Sequence, residues 1–261
     1  MLLAIDVGND GIKFGVFDGD RRLHDWRIPT RLDSTADELG LVFTQLMREA
    51  DIDATAIRGA AVSSVVPPLN ARLAEAVRRS FHCEPLMVMP GVKTGLKIRY
   101  EDPREVGADR IVASLAAFRK YGGPLIIIDF GTGTTYDAVS RDGEYLGGAI
   151  APGVQISIDA LVQHGARLFR VELKPPPSVI GRTTGESLQA GIIYGFVAQV
   201  EGMVARLRRE LGDDARVIAT GGMASVIAPE TTIIEEVDDG LMLDGLRLVY
   251  ELNAPRAQVG D

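Results

Sequence analysis

An intrachain disulfide is closed to this chain of 261 residues, because Cys83 is its only cysteine. The fold must be held by packing and hydrogen bonds, and a lone thiol suits a reducing compartment. Histidine is almost as scarce. His24, His82 and His164 have no metal-ligand spacing with one another or with Cys83, which excludes a zinc-finger type of site. An excess of basic charge is also missing. With 28 Lys and Arg against 36 Asp and Glu the net charge is −8, which argues against nucleic acid or an anionic membrane as partner. A local basic pocket for phosphate remains compatible with that balance. No apolar run reads as long enough to span a bilayer, and no low-complexity segment interrupts the chain. The first apolar run meets Asp6 too soon for a signal peptide, so the expectation is a cytoplasmic protein without a leader. The single tryptophan, Trp26, lies on a strand-like stretch and reads as core or interface.

What the chain has instead is one motif written twice. Leu2-Leu3-Ala4-Ile5 runs into Asp6-Val7-Gly8-Asn9-Asp10, and Leu125-Ile126-Ile127-Ile128 runs into Asp129-Phe130-Gly131-Thr132-Gly133. Each apolar run ends in Asp-x-Gly, continues into a second apolar stretch and reaches an Asp-Gly turn, at Asp18-Gly19 and Asp142-Gly143. The two copies agree in spacing to within one residue.

Around each copy the pattern predicts three strands followed by helices, an α/β arrangement. In the first half strands are expected at 2–5, 11–17, 21–28 and 59–66. Helices are expected at 34–50, capped by Ser34 or Thr35, and at 69–80. A helix over about 105–121 bridges the halves and ends at Gly122-Gly123. The second half repeats strands at 124–129, 134–139 and 144–150, then a helix at 152–162 with Pro152 near its start. Lys174-Pro175-Pro176-Pro177 is a stiff connector. The longest helix is expected at 186–211 and a last buried strand at 216–220. Arg206, Arg208 and Arg209 read as a solvated helix face, and His164 as an exposed helix-end residue.

The Asp-x-Gly turns carry the chemistry. Gly8 lets backbone approach a ligand closely, and exposed N–H groups of a turn can cradle phosphate oxygens. Asp6, at a strand end, can hold Mg²⁺ directly or through water, and Lys13 is near enough in sequence to reach the same phosphates. From one copy alone, an ordinary hairpin with a capping Asp reads the same way; the matched second copy weighs against that. A separate constellation is Gly107-Ala108-Asp109-Arg110, near a helix start. There the dipole would hold Asp109 ionised, and Arg110 could fork onto a carboxylate. A surface Asp-Arg pair has the same spacing.

In these residues the chain resembles the type III pantothenate kinases, over Leu2 to about Tyr250. The family's Asp-x-Gly-Asn-Thr turn is matched by Asp6 through Asn9. Its Tyr-x-x-Pro-x-Glu-Val-Gly-Ala-Asp-Arg segment is matched by Tyr100 through Arg110, and its Asp-Phe-Gly-Thr-x-Thr-Thr turn by Asp129 through Thr135. Gly147 through Gly153, Gly181 through Thr184 and Thr220 through Gly222 follow in the family's order.

The resemblance implies two duplicated actin/hexokinase-like (ribonuclease H-like) α/β halves with a cleft between them. Residues 1–115 would carry the first phosphate turn, and 116–261 the second with the dimer helices. It implies transfer of the γ-phosphoryl of ATP to the terminal hydroxyl of pantothenate, the first step of coenzyme A biosynthesis. Asp109 would be the general base, with Tyr100, Gly107, Ala108, Arg110 and Thr184 lining the pantothenate pocket. Asp6, Val7, Gly8, Asn9, Asp10, Gly11, Ile12 and Lys13 would hold ATP with Mg²⁺, joined by the hydroxyl of Thr132. Asp129 would ligate a monovalent cation, K⁺ or NH₄⁺. Thr220-Gly221-Gly222 would sit near the adenosine, and the long helix from Glu186 would form part of a homodimer interface.

Three segments depart from the family pattern. Asp10 replaces a hydroxyl residue, Asp102 stands where Asn is frequent, and Gly165-Ala166-Arg167-Leu168-Phe169 departs from Thr-Ala-x-Leu-Pro. Two other readings therefore stay open. One is a non-catalytic ATP- or pantothenate-binding regulator of the same fold, which Asp10 favours. The other is a kinase for another small hydroxy acid, which Asp102 and Gly165 favour.

Overall fold

The computed structural model describes residues 1–89 and 91–254. They form two compact units: Met1–Leu96 with Asp102–Ala116 and the stretch from Leu241, and Lys97–Glu101 with Ala117–Gly240.

The first unit is built on a five-stranded sheet. Its strands are β1 (Leu2–Val7), β2 (Gly11–Asp18), β3 (Arg21–Pro29), β4 (Gly59–Ser64) and β5 (Pro85–Met87), in the order β3-β2-β1-β4-β5. β1 runs antiparallel to β2 and parallel to β4. Its four leading residues are all buried, as a strand covered on both faces requires. On one face, Leu3, Ile5, Phe14 and Val62 meet α1 (Ala36–Glu49) and α2 (Pro67–Phe81) through Phe43, Leu69 and Leu73. Trp26 is half-buried against this cluster and stacks on Phe14 at 5.0 Å between ring centroids, as the core reading expected. Thr35, not Ser34, caps α1 in a reciprocal pair with Glu38. The other face is covered by α7 (Leu241–Asn253), which packs on β1, β2 and β4.

The second unit repeats this plan. Its strands are β6 (Lys97–Ile98), β7 (Leu125–Phe130), β8 (Gly133–Val139), β9 (Glu144–Pro152), β10 (Arg216–Thr220) and β11 (Glu236–Val237), in the order β11-β10-β7-β8-β9-β6. Without the edge strand β6, order and direction reproduce the first sheet strand for strand. Both β-meanders even carry a register shift at the same place, between Val16 and Phe17 and between Ala138 and Val139. One face packs on α4 (Val154–His164), α5 (Thr184–Leu211) and the short α6 (Ala224–Ile227) through Ile126, Ile128, Tyr136, Ile193, Val200 and Ile227.

Several boundaries differ from expectation. The bridging helix α3 spans Ala108–Tyr121 and is preceded by a separate 3₁₀ turn at Pro103–Glu105, because Pro103 and the cap from Asp102 close that turn first. It begins in the first unit and ends in the second. α4 starts at Val154 behind Gly153 rather than at Pro152, because Pro152 is still paired as the last residue of β9. The helix α7 was not anticipated, and it groups with the first unit, whereas residues 116–261 were expected to form one half. Residues 255–261 of that expected half lie outside the described residues. The reading that no run could span a bilayer is corrected by α5, which by length and composition alone would suffice. Its Ile192, Ile193, Val197, Val200 and Val204 are instead buried in the core of the second unit.

Candidate active site

The first Asp-x-Gly turn sits where β1 meets β2. Asp6 is half-buried, and its register partners are Lys13 on β2 and Ser63 on β4, so the three side chains leave the same face of the sheet in one row. Ser63 is fully buried. The turn is closed by the Gly8 N–H donating to the Gly11 carbonyl at 3.0 Å, and Thr30 Oγ1 donates to the Gly8 carbonyl at 2.6 Å. Asn9 and Asp10 are exposed at its tip. Lys13 Nζ lies 3.8 Å from Asp25, half-exposed, which keeps an ammonium over this face.

The second turn has the same construction in the other unit. Asp129 is half-buried between Thr135 on β8 and Thr220 on β10, its register partners. Gly131 N–H donates to the Gly133 carbonyl at 3.1 Å. Asp6 faces the seventh residue after it and Asp129 the sixth, so the first turn is one residue longer than the second. Two glycines are pressed against this turn. Gly153 N–H donates to the Thr132 carbonyl at 3.0 Å, and a Cβ on Gly153 would collide with the Gly131 and Thr132 carbonyls. Gly221, at φ +91°, has no room for a Cβ beside Asp129 Oδ1 and the Phe130 backbone.

The Gly-Ala-Asp-Arg segment starts α3 in the first unit. Asp109 is half-buried in the first turn, and its Oδ1 accepts from the Arg110 N–H at 2.9 Å; Arg110 itself is buried. Any Cβ on Gly107 would meet Asp109 Oδ1, so the glycine is what leaves the carboxylate its position. Asp102 has a local task. Its Oδ1 accepts from the Arg104 N–H at 3.0 Å and its Oδ2 from the Arg104 guanidinium at 2.8 Å, and those bonds hold the carboxyl below its usual range. Tyr100 belongs to the second unit, its ring beside Gly147. Thr184 is exposed at the head of α5, where Thr183 is the cap and accepts from the Glu186 N–H at 3.1 Å.

Each unit therefore gathers part of the expected set. Asp6 through Lys13 and Gly107 through Arg110 lie in the first, and Tyr100, Asp129, Thr132 and Thr184 in the second. Sequence reasoning passed over Ser63, Thr135 and Asp137. The available signal was the alternation after Asp129, which puts Thr135 and Asp137 on one face of β8 with Asp129 opposite the first of them. Among the described residues no group of three or more His, Cys, Asp or Glu side chains gathers as a metal cage. The donors present fit ions that bring other ligands with them. Asp6 offers one carboxylate of the kind Mg²⁺ uses alongside nucleotide phosphates, and Asp129 lies between two hydroxyl residues, a hard oxygen set suited to a weakly held cation. His164, exposed at the end of α4, takes no part in either row.

Two copies of one five-stranded topology, each with an Asp-x-Gly turn at the same strand end, define an actin/hexokinase-like ATPase fold. The activator of 2-hydroxyisocaproyl-CoA dehydratase from Clostridium difficile, solved with ADPNP, shares this fold. It has a TM-score of 0.55 and 14% identity, covering 100% of this chain and 98% of that one. The family model of type III pantothenate kinase matches residues 2–206. A type III pantothenate kinase of Moorella thermoacetica is 52% identical over 97% of this chain and 100% of its own length, and one of Myxococcus xanthus is 49% identical over 97% and 99%. The chain belongs to the type III pantothenate kinase family.

Proposed function

We propose that the protein transfers the γ-phosphoryl group of ATP to the terminal hydroxyl of pantothenate, forming 4'-phosphopantothenate in the first step of coenzyme A biosynthesis. The observation that carries this reading is the pair of equivalent Asp-x-Gly turns in sheets of equal topology, in a chain of this family. Phosphoryl transfer asks a protein mainly for positioning and charge neutralisation, and the parts divide accordingly. The backbone of Val7 through Ile12 cradles the phosphates, with Lys13 as a fixed positive charge and Thr132 adding a hydroxyl. Asp6 holds Mg²⁺, directly or through water, and Mg²⁺ supplies neutralisation of the phosphate charge. Asp129 holds the monovalent cation. Tyr100, Gly107, Ala108, Arg110 and Thr184 bind pantothenate, Arg110 matching its carboxylate with a planar fork. Asp109 accepts the proton of the attacking hydroxyl, held at the head of α3 where the helix dipole favours its charge.

The enzyme works in the cytoplasm as a homodimer. α5 supports the second of these: Gly191 and Gly195 lie exposed with nothing within 4 Å of where a Cβ would stand, and Ile156 and Leu161 of α4 are exposed apolar residues. A second copy laid on these helices would cover that surface.

The test is an assay for ADP and phosphopantothenate with purified protein, ATP, Mg²⁺ and K⁺. Pantothenate-dependent ADP release is the expected result. ATP binding with no turnover on pantothenate would overturn the proposal in favour of the regulator suggested by Asp10. Turnover only with a different hydroxy acid would overturn the substrate.

A further inference from the structure

The two register rows are alike except in one place. In the first sheet the row reads Ser63, Asp6, Lys13; in the second it reads Thr220, Asp129, Thr135. A lysine in one copy is thus a threonine in the other, beside equivalent carboxylates. The first row carries its own ammonium at this position, while the second carries a neutral hydroxyl.

The Thr135 hydroxyl is oriented by the strand below it. Its Oγ1 donates to Asp137 Oδ2 at 3.1 Å, and the Tyr145 hydroxyl donates to Asp137 Oδ1 at 2.7 Å. Asp137 is 1% exposed and Tyr145 fully buried, so the carboxylate is a fixed acceptor. A hydroxyl has a single proton. Once that proton points at Asp137, Thr135 keeps only lone pairs for anything else. An oxygen with only lone pairs cannot donate to a phosphate. It can coordinate an alkali cation or accept an N–H from ammonium.

We propose that Thr135, its proton held by Asp137, supplies a neutral oxygen ligand to the monovalent cation beside Asp129, and that Asp137 is the positioning residue that fixes it so. The proposal rests on the reading that Asp129 takes that cation. It extends the site from one carboxylate to a row, and it explains why the second turn calls for a diffusible cation where the first has Lys13.

The experiment is a thermal-unfolding titration of the full-length protein without substrates, exchanging choline chloride for KCl at constant ionic strength. Wild type is expected to gain stability with K⁺. Thr135→Val should lower stability in choline, because buried Asp137 loses a donor, and should raise the K⁺ midpoint about tenfold when the response is measured from each variant's own choline baseline; Thr135→Ser should restore the wild-type midpoint. Asp137→Asn should shift the midpoint in the same direction; if it fails to fold, the Thr135 pair still decides. A wild-type K⁺ response in Thr135→Val, with the response lost in Asp129→Asn, would overturn the role of Thr135 and leave Asp129 standing. Retention of the response in Asp129→Asn, or its absence from the wild type, would overturn the Asp129 reading itself.

Discussion

Lys120 Nζ and Asp238 Oδ2 lie 2.6 Å apart, and the Tyr121 hydroxyl donates to the same oxygen at 2.8 Å. The Gly240 N–H reaches the other oxygen at 2.9 Å. Asp238 is 8% exposed and Lys120 largely exposed, so the cluster ties the end of α3 to the segment just before α7 through one buried carboxylate. Burial opposes its ionisation, but the bonds from Lys120, Tyr121 and Gly240 outweigh it and hold the carboxyl below its ordinary value of 3.8. Asp238→Asn is expected to cost about 2 kcal/mol at neutral pH, read by urea unfolding. A lowered folded pKa means the ionised form favours the native state. That contribution is complete above the ordinary value of 3.8 and is lost as pH falls through the folded one. The stability difference between wild type and Asp238→Asn should therefore narrow in acid below pH 3.8. A gap independent of pH would refute the assignment.

Asp109→Asn keeps an acceptor for the Arg110 N–H and removes the proposed base. Steady-state kinetics should show kcat down by roughly 10²–10⁴-fold, with the unfolding midpoint unchanged. A rate near wild type would show that Asp109 is not the proton acceptor.

Gly107→Ala tests the same carboxylate from its neighbour. The added Cβ meets Asp109 Oδ1 and must move it, so kcat should fall by about 10²-fold although no reacting group has been changed. Unimpaired turnover would show that the position of the carboxylate is not critical.

Asp10 places a carboxylate at the exposed tip of the first Asp-x-Gly turn, the one proposed to hold ATP. At ~4 Å in water two like charges repel by about 1 kcal/mol, which is roughly fivefold in affinity. Asp10→Thr is accordingly expected to tighten ATP binding by about that factor in calorimetry, most clearly at low salt. No change would mean that the local interactions of Asp10 already offset its charge.

Gly59 and Gly245 mark the seat of α7. A Cβ on Gly59 would run into the Tyr250 ring and hydroxyl, and one on Gly245 into the Val112 carbonyl on α3. Alanine in a helix normally gains about 1 kcal/mol over glycine. At Gly245 the contact is with backbone and cannot give way, so Gly245→Ala should be destabilising by about 1 kcal/mol or more. A stabilised Gly245→Ala variant in denaturant unfolding would contradict this packing.

Much of this architecture was legible in local pattern. β1 and β7 announce themselves as apolar runs that end in Asp-x-Gly, and Ser34-Thr35 marks the head of α1, although only the structure singles out Thr35 and its partner Glu38. The short edge strands β5, β6 and β11 were not legible, since two or three residues carry no period. Nor was the docking of Leu241–Asn253 on β1 and β4, a choice made by contacts some two hundred residues distant in the chain. Of the candidate site, the two turns and Asp109 could be read from their motifs. Ser63 could not, because it is an ordinary strand residue until the register sets it beside Asp6, and Asp137 shows its part only through its bond to Thr135, the last residue of the second motif.

The return of α7 to the first sheet has a bearing on the order in which the protein is made. Residues 97–101 and 117–240, which complete the second unit, all leave the ribosome before Leu241. The first unit, begun with β1, lacks the cover for one face of its sheet until Asn253 has been synthesised. The later-started unit is thus the first that can close, and the nascent chain carries the α7-facing side of β1, β2 and β4 uncovered throughout that interval.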